Sequence, residues 1–120
     1  MFKKIMTVDD SASVRQMVCF TLKEAGYDMI EAKDGEDAIE KLLQTHVNMV
    51  ITDVNMPRLG GLELLLRIRG IEMYKYIPVI MLTTESDGEK KTLYRSAGAT
   101  GWIVKPFSPG QLLAVVEKVI

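Results

Sequence analysis

Five short apolar runs, each followed by a stretch of helical periodicity, constrain this chain more than any other feature: Lys4 to Val8, Tyr27 to Ala32, Asn48 to Thr52, Pro78 to Thr83 and Thr100 to Val104. Runs of this length that alternate with amphipathic helices over short connections require parallel pairing and right-handed crossovers. The expected fold is therefore α/β, a doubly wound five-stranded parallel sheet covered on both faces. With 120 residues and 48% hydrophobic content, the chain suits one compact domain spanning 1–120. No linker, low-complexity segment or charge block divides it.

The punctuation between the runs agrees. Asp10 or Ser11 can cap a first helix carrying Val14, Val18 and Leu22, with Gly26 as its stop. Asp34-Gly35 leads into a second helix with Ala38, Ile39, Leu42 and Leu43 at helical spacing. A turn-rich loop, Val54 to Gly61, precedes a Leu-rich third helix from about Leu62 to Arg69, in which Leu66 makes the surface apolar nearly all round. Burial of Leu66 is the preferred reading and a small contact patch the alternative. Ser86 or Asp87 can cap a more polar fourth helix ending at Gly98, and Ser108-Pro109 opens a fifth with Leu112, Leu113, Val116 and Val119 inward.

Chemistry-bearing residues sit where strands end. Asp9 and Asp10 follow the first run, Asp53 the third, and Lys105 the fifth. In an open parallel sheet these all reach the carboxyl edge, where ligands bind at the point at which strand order reverses. Placing the reversal between the first and third strands gives the order 2-1-3-4-5. Carboxylates brought together repel one another, a cost that a divalent cation removes. Oxygen donors without His or Cys favour Mg2+. The single histidine, His46, precedes the third strand at the opposite edge and reads as a plain surface residue rather than a ligand.

Composition excludes several functions. Lys+Arg 15 against Asp+Glu 16 gives a net charge of -1, so nothing favours nucleic acid or an anionic membrane. No run approaches the roughly 18 apolar residues of a membrane span, and the start is too short to be a signal peptide. The lone cysteine, Cys19, falls in an apolar helical pattern and reads as a buried, inert thiol. A reducing, cytoplasmic setting fits. Neither G-x-G-x-x-G nor a P-loop is present, which argues against a nucleotide or flavin binder.

Taken in order, Asp9-Asp10, Thr52-Asp53-Val54-Asn55-Met56-Pro57 with Gly60-Gly61, Thr83-Thr84-Glu85 and Lys105-Pro106-Phe107 resemble the receiver domain of two-component response regulators. The likeness is to the single-domain, chemotaxis-type members and spans essentially the whole chain. It implies a flavodoxin-like fold and a phosphoacceptor role for Asp53, with a histidine kinase as donor. It further implies Mg2+ ligation by Asp10, Asp53 and the Asn55 main-chain carbonyl, with Asp9 holding a coordinated water. By the same resemblance Lys105 pairs with a phosphoryl oxygen and the Thr83 hydroxyl bonds another, while a Lys105-Pro106 cis bond is a family feature. Thr83 and the aromatic position at Trp102 then form the switch, although most relatives carry Tyr or Phe there; static packing of Trp102 is the alternative.

The implied output is a protein target docking on the face of the fourth helix, fifth strand and fifth helix, including Tyr94 and Trp102. The implied assembly is a monomer or weak dimer. Gly60, where many relatives have Asp, predicts a more flexible loop after Asp53. Asn55, Thr84 and Glu85 would line the path of water, giving self-hydrolysis over seconds to minutes. A receiver domain from a longer response regulator or phosphorelay protein fits the same residues. A phosphohydrolase of the haloacid dehalogenase type fits less well: it needs an acid two residues after its nucleophile, where this chain has Asn55.

Overall fold

The computed structural model describes residues 2–84 and 88–120. Its strands are β1 (Lys4–Val8), β2 (Asp28–Ala32), β3 (Met49–Asp53), β4 (Val79–Thr83) and β5 (Gly101–Val104). All pair in parallel in the order β2-β1-β3-β4-β5, as the strand ends imply. The helices are α1 (Ala12–Glu24), α2 (Gly35–Gln44), α3 (Gly61–Arg69), α4 (Gly88–Ser96) and α5 (Pro109–Val119). No helix among the described residues is long and apolar enough to cross a membrane.

Two cores lie on opposite faces of the sheet. Ile5, Met49, Ile51, Ile80, Leu82 and Ile103 pack against Val18 and Leu22 of α1 and Leu112 and Val116 of α5. Met6, Val8, Val50, Val79 and Met81 pack on the other side against α2, α3 and Tyr94 of α4. Central strands β3 and β4 are buried along their whole length, which accounts for their continuous apolar runs.

Helix ends follow local chemistry. Ser11, not Asp10, caps α1, its hydroxyl accepting from the Val14 amide. Asp34 caps α2 through the Asp37 amide, and Ser108 with Gln111 forms a capping box on α5 behind Pro109. Gly26 and Gly98 end α1 and α4 at φ +99 and +105, a backbone region that side chains disfavour. The expected caps of α4, Ser86 and Asp87, lie outside the described residues, as does Glu85.

Three expectations are corrected. Leu66 is 54% exposed, because Leu64, Leu65 and Ile68 already fill the inward side of α3 and Leu66 projects away from it. Leu43 is exposed for the same reason on α2, where Ala38 and Leu42 take the core side. Tyr94, assigned above to the output surface, is buried at 3% exposure as the core-facing anchor of an otherwise polar α4. The sequence pattern also left unread a 3-10 turn at Glu72–Tyr74. Its Tyr74 is buried, donates from its hydroxyl to the carbonyls of Thr45 (2.9 Å) and Leu42 (3.1 Å), and accepts from the Val47 amide.

Candidate functional site

Alternation along the strands decides which side chains meet. On β1 the face that buries Ile5 continues through Thr7 to Asp9; on β3 the face of Met49 and Ile51 continues to Asp53; after β5 the face of Ile103 continues to Lys105. All three therefore emerge above the α1/α5 layer at the carboxyl edge. There Lys105 Nζ lies 3.0 Å from Asp53 Oδ1 and 3.3 Å from Asp9 Oδ2. One carboxylate oxygen from each of Asp9, Asp10 and Asp53 lies within 4.8 Å of the others.

Backbone bonds hold this edge in place. The Asp9 amide donates to the Ala32 carbonyl at 3.1 Å, and the Ser11 amide donates to Asp9 Oδ1 at 2.9 Å. The Lys105 amide donates to the Thr83 carbonyl at 2.8 Å, and the Lys105-Pro106 bond is cis. The entry of α3 presses against the strand end that carries Asp53: a Cβ on Gly61 would collide with the Asp53 carbonyl and the Val54 backbone. A second glycine precedes it at the N-cap, Gly60, which supplies no side-chain cap.

Electrostatics follow from burial. Asp9 and Asp53 are almost wholly buried and Asp10 is exposed. Burial pushes the Asp53 carboxyl above its ordinary range, and the charges of Asp9 and Asp10 add to this against the opposing bond from Lys105. Lys105 is also partly buried, which works against its charge, yet its bond to Asp53 and the charges of Asp53 and Asp9 raise its pKa overall. Three acids against one ammonium leave excess negative charge among closely spaced hard oxygen donors. That donor set fits Mg2+, which prefers carboxylate oxygens and retains waters.

Thr83 is buried at the end of β4 and lies in register with Val104. Strand alternation puts it on the face of Val79 and Met81, opposite the acids. Trp102 pairs with Met81 and so shares that face. Its half-buried ring packs on the α3/α4 side core with Lys91 Nζ 5.5 Å and Arg95 Cζ 5.0 Å from its centroid. Asn55 is exposed in the turn after Asp53, and Thr84 is exposed after β4. His46 is exposed and tilted against Tyr74, apart from the acids. Cys19 is buried, and burial followed by the nearby Glu31 raises its thiol pKa, in keeping with an inert role. Arg15 escaped the sequence reading; its guanidinium reaches both the Asp9 carbonyl and Glu31.

The model of the response regulator receiver domain matches residues 5–117. The chain belongs to that family. This receiver is 40% identical over 119 residues to the chemotaxis protein CheY1 of Helicobacter pylori, covering 98% of this chain and 96% of the relative. It is 37% identical to protein PilG of Pseudomonas aeruginosa, covering 95% of this chain and 84% of PilG. Among solved structures, the chemotaxis protein CheY4 of Vibrio cholerae is similar with a TM-score of 0.97 and 44% identity, each chain covered in full. Receivers are signalling phosphoacceptors of two-component systems, and membership implies interaction with a histidine kinase and with downstream targets. The fold is the flavodoxin-like arrangement shared with the CheY proteins.

Proposed function

We propose that residues 1–120 form one cytoplasmic receiver domain that accepts a phosphoryl group from a histidine kinase on Asp53, in a chemotaxis- or motility-type pathway. The observation that carries this reading is the Lys105 ammonium bridging two buried carboxylates, Asp53 and Asp9, with Asp10 beside them at the carboxyl edge. An Asp53 carboxylate oxygen attacks phosphorus, the P–N bond to the donor imidazole breaks, and the electron pair leaves with the imidazole nitrogen. Lys105, already 3.0 Å from the nucleophile, turns its charge to a phosphoryl oxygen once Asp53 is modified. The Thr83 hydroxyl bonds another.

Asp10, Asp53 and the Asn55 carbonyl would hold Mg2+, with Asp9 binding through a coordinated water. The bound ion supplies positive charge for the transferring phosphoryl oxygens. Asn55 and Thr84 then admit the water that slowly hydrolyses the acyl phosphate, so the chain assists only its own labelling and slow release. Movement of Thr83 toward the phosphoryl group opens space for Trp102 on the same sheet face, altering the surface of α4, β5 and α5 that a protein target reads. The receiver works as a monomer or weak dimer.

Incubation with acetyl phosphate and Mg2+, followed by intact-mass measurement, tests the proposal. One phosphoryl adduct is expected on the wild type, none on Asp53→Asn, and none on either after chelation of the metal. Labelling that persists in Asp53→Asn would move the acceptor elsewhere. Steady turnover of small phosphate esters would support a hydrolase instead.

A further inference from the structure

We infer that Arg15 is a positioning residue for the acid cluster, an assignment that rests on the reading that Asp9 and Asp10 serve a divalent cation. From the first turn of α1 its guanidinium reaches back to the strand end: Nη1 donates to the Asp9 carbonyl at 2.6 Å, and Nε donates to Glu31 Oε1 on β2 at 3.2 Å. The arginine side chain is 18% exposed, so the first contact is a short, charge-assisted and largely shielded bond. Asp9 is thereby held at every polar atom. Its amide is bound to Ala32, Oδ1 to Ser11, Oδ2 to Lys105 and its carbonyl to Arg15.

Of these bonds, only the one from Arg15 acts on the peptide unit that joins Asp9 to Asp10. That unit is planar, so fixing the Asp9 carbonyl fixes the direction in which the chain leaves toward Asp10. Asp10 is the exposed member of the acid group, and its approach to the buried pair is set from the backbone. Glu31 steadies the guanidinium, and the Glu31 carbonyl in turn accepts from Lys41 Nζ at 2.7 Å. The support thus runs from α2 through β2 to α1 and ends on the strand that carries both acids.

Charge and position predict opposite outcomes. Arg15 is a cation beside a cation site; acting through its field alone, its removal would tighten divalent binding. Acting through its bond to the Asp9 carbonyl, its removal loosens it. Calorimetric titration of the unphosphorylated protein with MgCl2 is therefore made on the wild type, Arg15→Met, Arg15→Lys and Glu31→Gln, with thermal melts of each. Arg15→Met is expected to weaken magnesium affinity about tenfold, at the low end of the effect of outer-sphere supports, with Arg15→Lys and Glu31→Gln each weakening it less, by roughly threefold. The rate of labelling by acetyl phosphate at saturating magnesium is expected to stay within about twofold, a split that general loosening of the fold would not give.

Unchanged or tighter binding in Arg15→Met overturns the inference. Should that variant melt below the assay temperature, Arg15→Lys, which keeps the charge and alters only the fork that reaches the Asp9 carbonyl, decides on the same criterion. A wild type that binds no magnesium overturns both the inference and the reading beneath it, whereas normal wild-type binding with an indifferent Arg15→Met overturns the inference alone.

Discussion

Asp53 carries a charge that the fold disfavours. Its carboxyl pKa is raised by burial and by two neighbouring acids. A group whose folded pKa lies above its unfolded value stabilises the protein below the unfolded pKa, near 3.9, and loses that contribution as pH rises through the folded value. At pH 7 Asp53 is therefore a net liability to the metal-free protein. Asp53→Asn should raise its stability by about 1 kcal/mol, or roughly 4 °C in melting temperature, and the gain should vanish below about pH 4. Chemical denaturation at pH 7 and pH 3.5 without metal checks both. Lys105→Met should act in the other direction, since it leaves Asp9 and Asp53 without their shared ammonium. A loss of about 2 kcal/mol at neutral pH is expected, discounted for partial exposure of the lysine. Millimolar magnesium should restore most of it in the same assay. These residues were legible in the sequence because each ends an apolar run of fixed side-chain parity. Arg15 was not, because its partner is a main-chain carbonyl and periodicity says nothing about where a long side chain on an amphipathic helix turns.

At the scale of elements, α3 is tightly constrained at its start. Gly61 sits where its helix starts against the Asp53 carbonyl, so Gly61→Ala should cost about 2–3 kcal/mol and disturb the acceptor's strand end. The preceding Gly60 has an ordinary φ of -72 and space for a side chain, the nearest atom to a built Cβ being the Val54 carbonyl oxygen at 3.4 Å. Gly60→Asp should add about 0.5–1 kcal/mol by capping α3 and narrowing the unfolded ensemble. Opposite signs at adjacent glycines, measured by urea midpoints, would separate steric need from conformational slack. At the other end of α3, Arg69 donates to the carbonyls of Gly98, Ile77 and Tyr74. Composition marks it only as a basic residue in a last turn, yet it closes three chain segments together. The third helix also shows the limit of pattern reading: three buried positions satisfy the available core, and the register of Leu66 turns it outward despite its chemistry. Tyr94 is the converse, a single inward residue that a polar helix needs in order to dock at all.

For the molecule as a whole, strand order and the two-sided core were readable from alternation and turn chemistry, since parallel sheets admit few connections. Placement of the 3-10 turn was not, because Tyr74 is held by carbonyls distant in sequence. The switch proposal belongs at this scale. Addition of beryllofluoride and magnesium should shift Trp102 emission, and the shift should be lost in Asp53→Asn; emission unmoved under conditions that modify Asp53 would remove the indole from the mechanism. The nearby Lys91 and Arg95 make α4 a participant in where the ring rests. Strand parity sends Asp9, Asp53 and Lys105 up one side of the sheet and Thr83 with Trp102 up the other. The message is thus written above the α1/α5 layer and broadcast in part through α4 on the other face, with α5 belonging to both. Drift in the α4 layer should change the audience and leave the ink untouched, a freedom that lets one scaffold be reassigned among pathways by substitutions remote from its reactive oxygen.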